Sequence, residues 1–499
     1  MRDCKHQLNV FMRTIQVLSM VLVLLVTSTC IAGLRPVDGL ERDFQERIAR
    51  IVAYKLTSGV QYAKETEADR RELESSASRL VKEKRLAASA GILLTPNQLE
   101  PSGVNEAKNA APIYKLLDAA LKRKPISPSD EKLLASRGAL LTDAPTIKRL
   151  RQILIERKEE TNLLSRAGKL SVCAFHRNWS LGPELAFPEY VSIRAGVRLL
   201  RIQALMLAHD KRFDEAIECL AKGYSIAGHI AEQPTLISHL VGIAIDAIIT
   251  GALSEVLKQA SDQPQIAFHV ARTIKAAPTF NLVRAFQSEG VATNIWFDRF
   301  RKANTFKDIE EMTSEPPKDY PAGSSWMARK LPPSKPKFSD EPLMVRQLFD
   351  LAQSMQLTDL RRLVAAAQKP HRLRPQLIQD ELDRPPDKGL GALLAYGMRI
   401  SGNNINYADL RIQSKEAVVM AGAMVLVFHS KSKVWPERLE QLDDGLGKQI
   451  PADPFTGASL RYRRERNGFV IYSVGEGGKF NGGAPGKSVP GKEACFRYP

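Results

Sequence analysis

Cys173 and His176 are close enough in the sequence to form a thiolate–imidazole pair for nucleophilic catalysis. Such a pair needs its base within hydrogen-bond reach of the nucleophile and a third group that orients the base, which spacing alone cannot show. His209, His229 and His239 lie in an apolar helical region, where a histidine more often completes a core or a surface than catalyses. No HExxH or GxSxG motif occurs in the sequence. We therefore assign no catalytic residue.

The glycine-rich stretch 481–488 ends in Gly486-Lys487-Ser488, as a phosphate-binding loop does. That motif also needs a glycine five residues before Gly486, where Asn481 stands, and a following helix whose amides cradle the phosphates. We therefore expect no nucleotide and no other cofactor. The cysteines form no CxxC or Cys/His grid for zinc, so no metal ligand is assigned. One disulfide with a thiol left over, or free buried thiols, remain open for Cys173, Cys219 and Cys495.

Asp246 interrupts the apolar run Leu240–Leu253. The run is too short and too interrupted to span a membrane, and it predicts a central buried helix. A buried carboxylate needs a hydrogen-bonding or charged partner. We expect a structural partner for Asp246, with a catalytic role as the open alternative.

Helical spacing predicts the elements that position these residues. Within 191–257, two apolar stripes flank the polar turn His209–Arg212, which predicts an αα-hairpin. The run Arg212–Ala216 resembles the inter-helix turn of a tetratricopeptide repeat, but no 34-residue self-similarity supports a repeat array. Further helices are predicted over 345–367 and 407–429.

The N-terminal segment predicts export. Arg2, Lys5 and Arg13 precede an uncharged run from Thr14 to Leu34, with small residues at Ala32-Gly33. This pattern is typical of a signal peptide, and the run is also long enough to cross a bilayer once. The basic flank places the N-terminus in the cytoplasm and the body outside. Cleavage of the segment and its retention as an anchor both remain open.

Composition restricts the class of protein. A chain of 499 residues with 44% hydrophobic residues can bury a core in two or three domains, which excludes wholesale disorder. The formal net charge of +17 favours acidic partners. However, the basic residues are scattered, even in the densest stretch at 361–374, and no aromatic residues alternate with them. We therefore expect no binding of nucleic acid.

The sequence pattern changes after His429. Leu460–Arg463 and Phe469–Val474 alternate apolar and polar residues and flank Asn467-Gly468, a strong hairpin signal. We predict two antiparallel strands packed on the 407–429 helix. The predicted fold class is mainly α with a small C-terminal α+β module: an irregular helical bundle of αα-hairpins, followed by a helix and an antiparallel hairpin.

The C-terminal segments "VWPERLEQL", "IPADPFTGASLRYRR" and "GFVIYSVGEGGKFNGG" resemble the soluble C-terminal part of the type II secretion major pseudopilins. The resemblance implies a pseudopilin-like module over 401–482. We assign its signature residues a structural role: Asp453, Pro454, Phe455, Gly457, Tyr462, Tyr472, Ser473 and Gly475.

Three segments of the body are similar to a broad set of uncharacterised exported bacterial proteins that carry the same C-terminal signature. These segments are "NAAPIY" (109–114), "CAFHRNW" (173–179) and "EQPTLISHLVGIAI" (232–245). That set implies no established activity.

The chain also departs from the pseudopilin pattern. Residues 1–35 lack the Gly-Phe-Thr-Leu-Ile-Glu methylation motif, and with it the glutamate that registers subunits in a pseudopilus. The pseudopilin calcium loop is typically acidic, whereas the loop 475–483 has one carboxylate, Glu476, and a lysine, Lys479. A hard cation prefers six or more oxygen ligands, so calcium in this loop is open but disfavoured. A shared fold does not fix a function.

These patterns predict a non-enzymatic structural or interaction protein of the bacterial cell envelope. We expect it on the extracytoplasmic side of the inner membrane, or in the periplasm if the signal is cleaved. The alternatives are an accessory component of a type II secretion or pilus-like system, and an envelope hydrolase with a site assembled from distant helices. Expected partners are the membrane, through the N-terminus, and envelope proteins, with the oligomeric state open.

The predicted organisation follows from the same patterns. It comprises a signal peptide or single transmembrane anchor over 1–35, a helical body over 36–310, a Pro-rich linker or loop over 311–342, further helices over 343–400, the pseudopilin-like module over 401–482, and a flexible tail over 483–499.

Overall fold

The protein folds mainly into α-helices because its apolar residues recur at three- and four-residue steps. The computed structural model describes residues 63–136, 143–302, 342–370, 373–384, 392, 395, 405–442, 451–475 and 494–498. The α-helices of this part are α1 (Ala63–Glu74), α2 (Ser76–Ser89), α3 (Ala111–Arg123), α4 (Pro128–Ala135), α5 (Ala144–Glu156), α6 (Lys158–Ala167), α7 (Pro188–His209), α8 (Phe213–Ala231), α9 (Leu236–Gln259), α10 (Pro264–Lys275), α11 (Leu282–Phe300), α12 (Pro342–Ala367), α13 (Arg374–Leu382) and α14 (Ile405–Ser432).

The three strands are β1 (Arg461–Arg464), β2 (Phe469–Tyr472) and β3 (Cys495–Tyr498), in the antiparallel order β1-β2-β3. The predicted fold class, mainly α with a small C-terminal α+β module, is therefore confirmed. The Asn467-Gly468 hairpin is also confirmed, with Arg464 opposite Phe469 and Arg461 opposite Tyr472.

The predicted αα-hairpin is present as α7 and α8, joined by the turn 210–212. Lys211 takes a left-handed φ of 64°, which reverses the chain in so few residues. Helix α9 packs on α7, α8, α10, α11 and α14, so it is central and buried as the apolar run predicts. Of the histidines expected in this core, His229 and His239 are buried but His209 is exposed.

One continuous apolar core joins the helical body to the sheet. It runs from Tyr114 on α3 through Ile249 on α9 and Val425 on α14 to Phe469 and Phe496 on the strands. A second core lies between α2, α11, α12 and α13, where Leu80 and Phe286 meet the apolar face of α12. The C-terminal module therefore packs on the helical body through α14, because residues of α14 contact both the body helices and the strands.

The prediction of a flexible tail over 483–499 is wrong for residues 494–498. Cys495–Tyr498 pairs with β2 along its length, with Phe496 opposite Ile471. The close approach of β3 to α14 depends on Gly422, because a Cβ there would lie 2.5 Å from Phe496 Cδ1. Strand β3 follows β2 only after a long connection, so no short turn signal pairs it with β2 as Asn467-Gly468 pairs β1 with β2.

Several predictions fall outside the described residues: the signal or anchor over 1–35, the Pro-rich segment over 311–341, the loop 476–483 and the stretch 481–488. Among the described residues, Leu236–Gln259 and Tyr407–Ser432 are long and apolar enough to cross a membrane by length and composition. In their most apolar windows, 61% and 67% of the residues are buried inside the protein. Core helices share this property.

Candidate functional site

Three segments that are far apart in the sequence meet in the structure. Asn109 Nδ2 donates to the carbonyl of Ala174 at 3.0 Å, and Ala174 N donates back to Asn109 Oδ1 at 2.9 Å. Gln233 Nε2 donates to the carbonyl of Cys173 at 2.7 Å. We call this arrangement the junction site, defined by residues 109–114, 173–179 and 232–245. The similarity segments of the body therefore form one place in the fold.

His229 on α8 lies beside the junction site and links neighbouring segments of the chain by hydrogen bonds. Its Nε2 lies 3.0 Å from the carbonyl of Leu170, which can only accept, so Nε2 carries the proton. The Nδ1 atom then accepts the hydroxyl of Tyr114 at 2.8 Å. Burial lowers the pKa of His229, which keeps the imidazole neutral. This histidine holds α3 and α8 to the 170–175 segment.

His176 lies at the rim of the junction site between two glutamates. Its Nδ1 is 2.7 Å from Glu100 Oε1, and its Nε2 is 3.0 Å from Glu106 Oε1. Glu100 also accepts from Trp179 Nε1 at 3.1 Å. His176 has a left-handed φ of 47°, an uncommon conformation for this residue type that places the ring between the two carboxylates. Both ring nitrogens are thus engaged by acidic groups.

Cys173 and His176 do not form a catalytic pair. The Cys173 side chain is buried, and burial raises the pKa of its thiol, so the nucleophilic thiolate is suppressed. His176 uses both nitrogens on the glutamates and has none left to act as its base. Cys219 is also buried, whereas Cys495 is exposed.

Arg177, the residue after His176, lies in a cage of three aromatic rings. Its guanidinium carbon lies 4.4 Å from the ring centre of Phe175, 4.7 Å from that of Phe187 and 5.6 Å from that of Tyr190. Nη2 donates to Glu189 Oε2 at 3.0 Å, and both side chains are nearly buried. The ion pair and the rings together tie the 173–179 segment to the start of α7.

Asp246 has a structural hydrogen-bond partner at one carboxylate oxygen and lies beside a second carboxyl. Thr250 Oγ1 donates to Asp246 Oδ1 at 2.8 Å, and the Glu416 carboxyl of α14 lies within hydrogen-bond reach. One heptad earlier, His239 Nε2 lies 2.9 Å from Asp409 Oδ1. Sequence reasoning missed both acidic partners. The available signal was the spacing: Asp409 and Glu416 are seven residues apart on α14, as His239 and Asp246 are on α9.

The signature residues of the C-terminal module form a knot around Asp453. Asp453 Oδ1 accepts from Phe455 N at 3.0 Å and from Ser473 Oγ at 2.9 Å, while Oδ2 accepts from Val474 N at 2.9 Å. This knot closes the 453–457 turn against the end of β2. We call it the Asp453 knot.

The remaining signature residues surround the Asp453 knot. Gly457 and Gly475 take left-handed φ values of 70° and 64°, which a side chain would strain. Tyr462 donates its hydroxyl to the carbonyl of Pro436 at 2.8 Å, and the Phe455 ring stacks on Tyr407 of α14. Pro454 lies in the same turn, and Tyr472 lies on β2.

Among the described residues, no group of three or more His, Cys, Asp or Glu side chains is arranged to hold a metal ion. The carboxylates at His176 lie on different ring nitrogens and do not converge on one point. The basic stretch at 361–374 is partly neutralised, since Arg361 pairs with Glu83 of α2 at 2.8 Å and Arg362 with Asp359 at 3.3 Å.

Comparison with known proteins returns no relative. No protein-family model matches the chain, and no curated protein or solved structure is significantly similar to it. The pseudopilin resemblance of the C-terminal module therefore rests on its signature residues and stays a prediction.

We predict that His176 titrates above the ordinary histidine pKa of about 6.5. Hydrogen bonds to Glu100 and Glu106 favour the imidazolium and raise its pKa. Because the folded pKa is raised, the stability from this contact is complete below the unfolded value and is lost as pH rises through the folded value. NMR titration of the His176 ring should show the raised pKa, and Glu100→Gln with Glu106→Gln should lower it. A wild-type pKa at or below the ordinary histidine value of about 6.5 would contradict the prediction.

Proposed function

We propose that this protein is a non-enzymatic structural or interaction protein of the bacterial cell envelope, exported and anchored through its N-terminal segment. The basic residues Arg2, Lys5 and Arg13 ahead of the uncharged run Thr14–Leu34 support export and anchoring. In this proposal the helical body is a framework with a binding surface for envelope proteins. The contacts of the junction site hold the segments of that body in place.

The observation that carries the structural role is the use of polar groups at the junction site. His176 is held by Glu100 and Glu106, and His229 by Tyr114 and the Leu170 carbonyl. A general base must have a free nitrogen near the proton that it abstracts. Here the groups that could act as bases link segments of the fold to one another, as a framework requires.

A charge in the middle of the N-terminal run tests the anchoring. Arginine at the centre of a membrane helix costs about 2.5–3.5 kcal/mol for insertion. Val23→Arg in the full-length chain should therefore reduce the fraction recovered in the membrane pellet after alkaline extraction. Val23→Leu is the matched control and should stay in the pellet. Equal recovery of the two variants, or a wild-type chain found in the cytoplasm, would overturn the proposal.

A second function, an accessory of a type II secretion or pilus-like system, is favoured by one specific feature. The signature residues of the pseudopilin resemblance lie in the Asp453 knot, in the residues around it and on the antiparallel sheet packed on α14. Cross-linking of the native envelope followed by mass spectrometry separates the two functions. Links from residues 434–475 to secretion-platform proteins would support the accessory role. Links to other envelope proteins through the helical body would support the framework role.

A further inference from the structure

Helices α9 and α14 are joined by two buried polar pairs that lie one heptad apart. His239 pairs with Asp409, and Asp246 pairs with Glu416. Both pairs advance in the same chain direction, so the helices run parallel where they touch. Seven residues are two helical turns, or about 10.5 Å. The interface therefore has paired polar side chains at two successive levels.

The Asp246–Glu416 pair lacks donors that two ionised carboxylates would need. Asp246 is fully buried, and its Oδ1 already accepts from Thr250. Asp246 Oδ2 and Glu416 Oε1 are both buried without a hydrogen-bond donor. Two carboxylates can only accept, so they can hydrogen-bond each other only when one of them holds a proton. The two carboxyls can therefore satisfy each other at this contact only by sharing a proton.

The charged and titratable groups acting on the pair come from two neighbouring helices. Lys415 of α14 donates to the carbonyl of Ala247 at 2.5 Å, and it is the cation that opposes the rise in the pKa of Asp246. Tyr224 of α8 reaches the pair through Thr250, with the two hydroxyl oxygens 2.9 Å apart. Burial raises the pKa of both carboxyls, and the like charge of Asp246 raises that of Glu416 further. The native pair therefore retains a proton that the unfolded chain releases near the ordinary values of about 4.

We propose that the Asp246–Glu416 pair is a proton-dependent latch that holds α14, and the C-terminal module built on it, to the helical body. With a proton present, the two carboxyls hydrogen-bond across the interface. When the proton is lost, two buried negative charges repel each other and α14 loosens from α9. The module follows because Phe496 of β3 packs on Gly422 of α14, and Ser473 at the end of β2 bonds Ser414, two residues from Glu416.

The sign of the pH effect follows from proton binding. Above about pH 4 the native pair binds more protons than the unfolded chain, so stability falls as pH rises. The loss is complete above the folded pKa of the pair. Opening of α14 should increase by up to about tenfold for each pH unit in the window where one proton is released.

Hydrogen exchange of the full-length protein between pH 5 and pH 9 tests the latch. The exchange rate of peptides in 405–432 (α14) is divided by that of peptides in 76–89 (α2), so that the intrinsic pH dependence of exchange cancels. In the wild type this ratio of exchange rates should rise with pH. In Asp246→Asn/Glu416→Gln, whose amides keep the shape but do not titrate, the ratio should stay flat.

Glu416→Gln alone serves if the double variant does not fold, and it should reduce the slope because the like charge is gone. Glu437→Gln removes an exposed carboxyl of the same region and should leave the wild-type slope unchanged. The His239–Asp409 pair is intact in every variant. Any difference in pH slope from the wild type is therefore caused by the change in the Asp246–Glu416 pair. A slope in the double or Glu416→Gln variant equal to that of the wild type would overturn the latch.

Discussion

Replacing Arg177 by alanine should lower the free energy of unfolding by about 3–5 kcal/mol, because it breaks a buried ion pair and leaves Glu189 unpaired. The Arg177 and Glu189 side chains are 7% and 10% exposed, so water cannot replace the lost partner. The variant also empties the cage formed by Phe175, Phe187 and Tyr190. Urea unfolding followed by tryptophan fluorescence measures the loss, with Trp179 two residues away as a local reporter.

Arg123→Ala is the matched control for this prediction. Arg123 also pairs with a glutamate, at 2.9 Å from Glu159, but the two side chains are 67% and 60% exposed. An exposed pair contributes about 0–1 kcal/mol, so this variant should unfold close to the wild type. Arg177→Lys should fall between the two, since it keeps the charge but loses the planar group that stacks on the rings. Similar losses for Arg177→Ala and Arg123→Ala would show that the cage contributes no stability.

Replacing Asp453 by alanine should lower the free energy of unfolding by about 3 kcal/mol or more, since hydrogen bonds to a charged acceptor contribute about 1.5–3 kcal/mol each. Three donors lose their acceptor at once: Phe455 N, Val474 N and Ser473 Oγ. Asp453 is 1% exposed, so the freed donors are not readily solvated. We expect the 453–457 turn and the end of β2 to open first. Limited proteolysis with mass spectrometry should therefore find new cleavage within 451–475.

Two variants calibrate the Asp453 prediction. Asp453→Asn keeps one acceptor oxygen but presents an amide donor to a backbone donor, so its loss should be intermediate. Asp262→Ala removes an exposed aspartate from the turn between α9 and α10 and should change the unfolding free energy by less than about 0.5 kcal/mol. The prediction fails if Asp453→Ala keeps the wild-type urea midpoint and protease pattern.

The proton latch and the His176 contact act in the same direction. In both, the native state binds a proton more tightly than the unfolded chain does. The stability that each contributes to the protein is therefore lost as pH rises. Buried His229 acts in the opposite direction, since its lowered pKa means that acid favours the unfolded chain. The stability contributed by the latch and by the His176 contact should therefore fall toward alkaline pH, whereas the stability contributed by neutral His229 should fall in acid.

Local spacing was sufficient for several elements of the fold, but not for β3. The 3.6-residue period identified α7, α8 and the buried α9, and Asn467-Gly468 identified the β1–β2 hairpin with its strands. These signals are encoded within a few residues, because a helix face or a tight turn is a local steric preference. The apolar residues on both sides of Asp246 likewise indicated that its carboxylate would be buried and would need a partner.

The identity of the partners was decided by the tertiary structure alone. Glu100 and Glu106 lie 76 and 70 residues from His176 in the sequence, and Asp409 lies 170 residues from His239. Strand β3 pairs with β2, and Gly422 leaves the room that Phe496 needs against α14. Contacts of this kind depend on how whole helices pack against one another, and no local period records which carboxylate will meet a given side chain. The residues that need partners could thus be read from the chain, whereas the partners themselves were set by the packing of α9, α14 and the junction site.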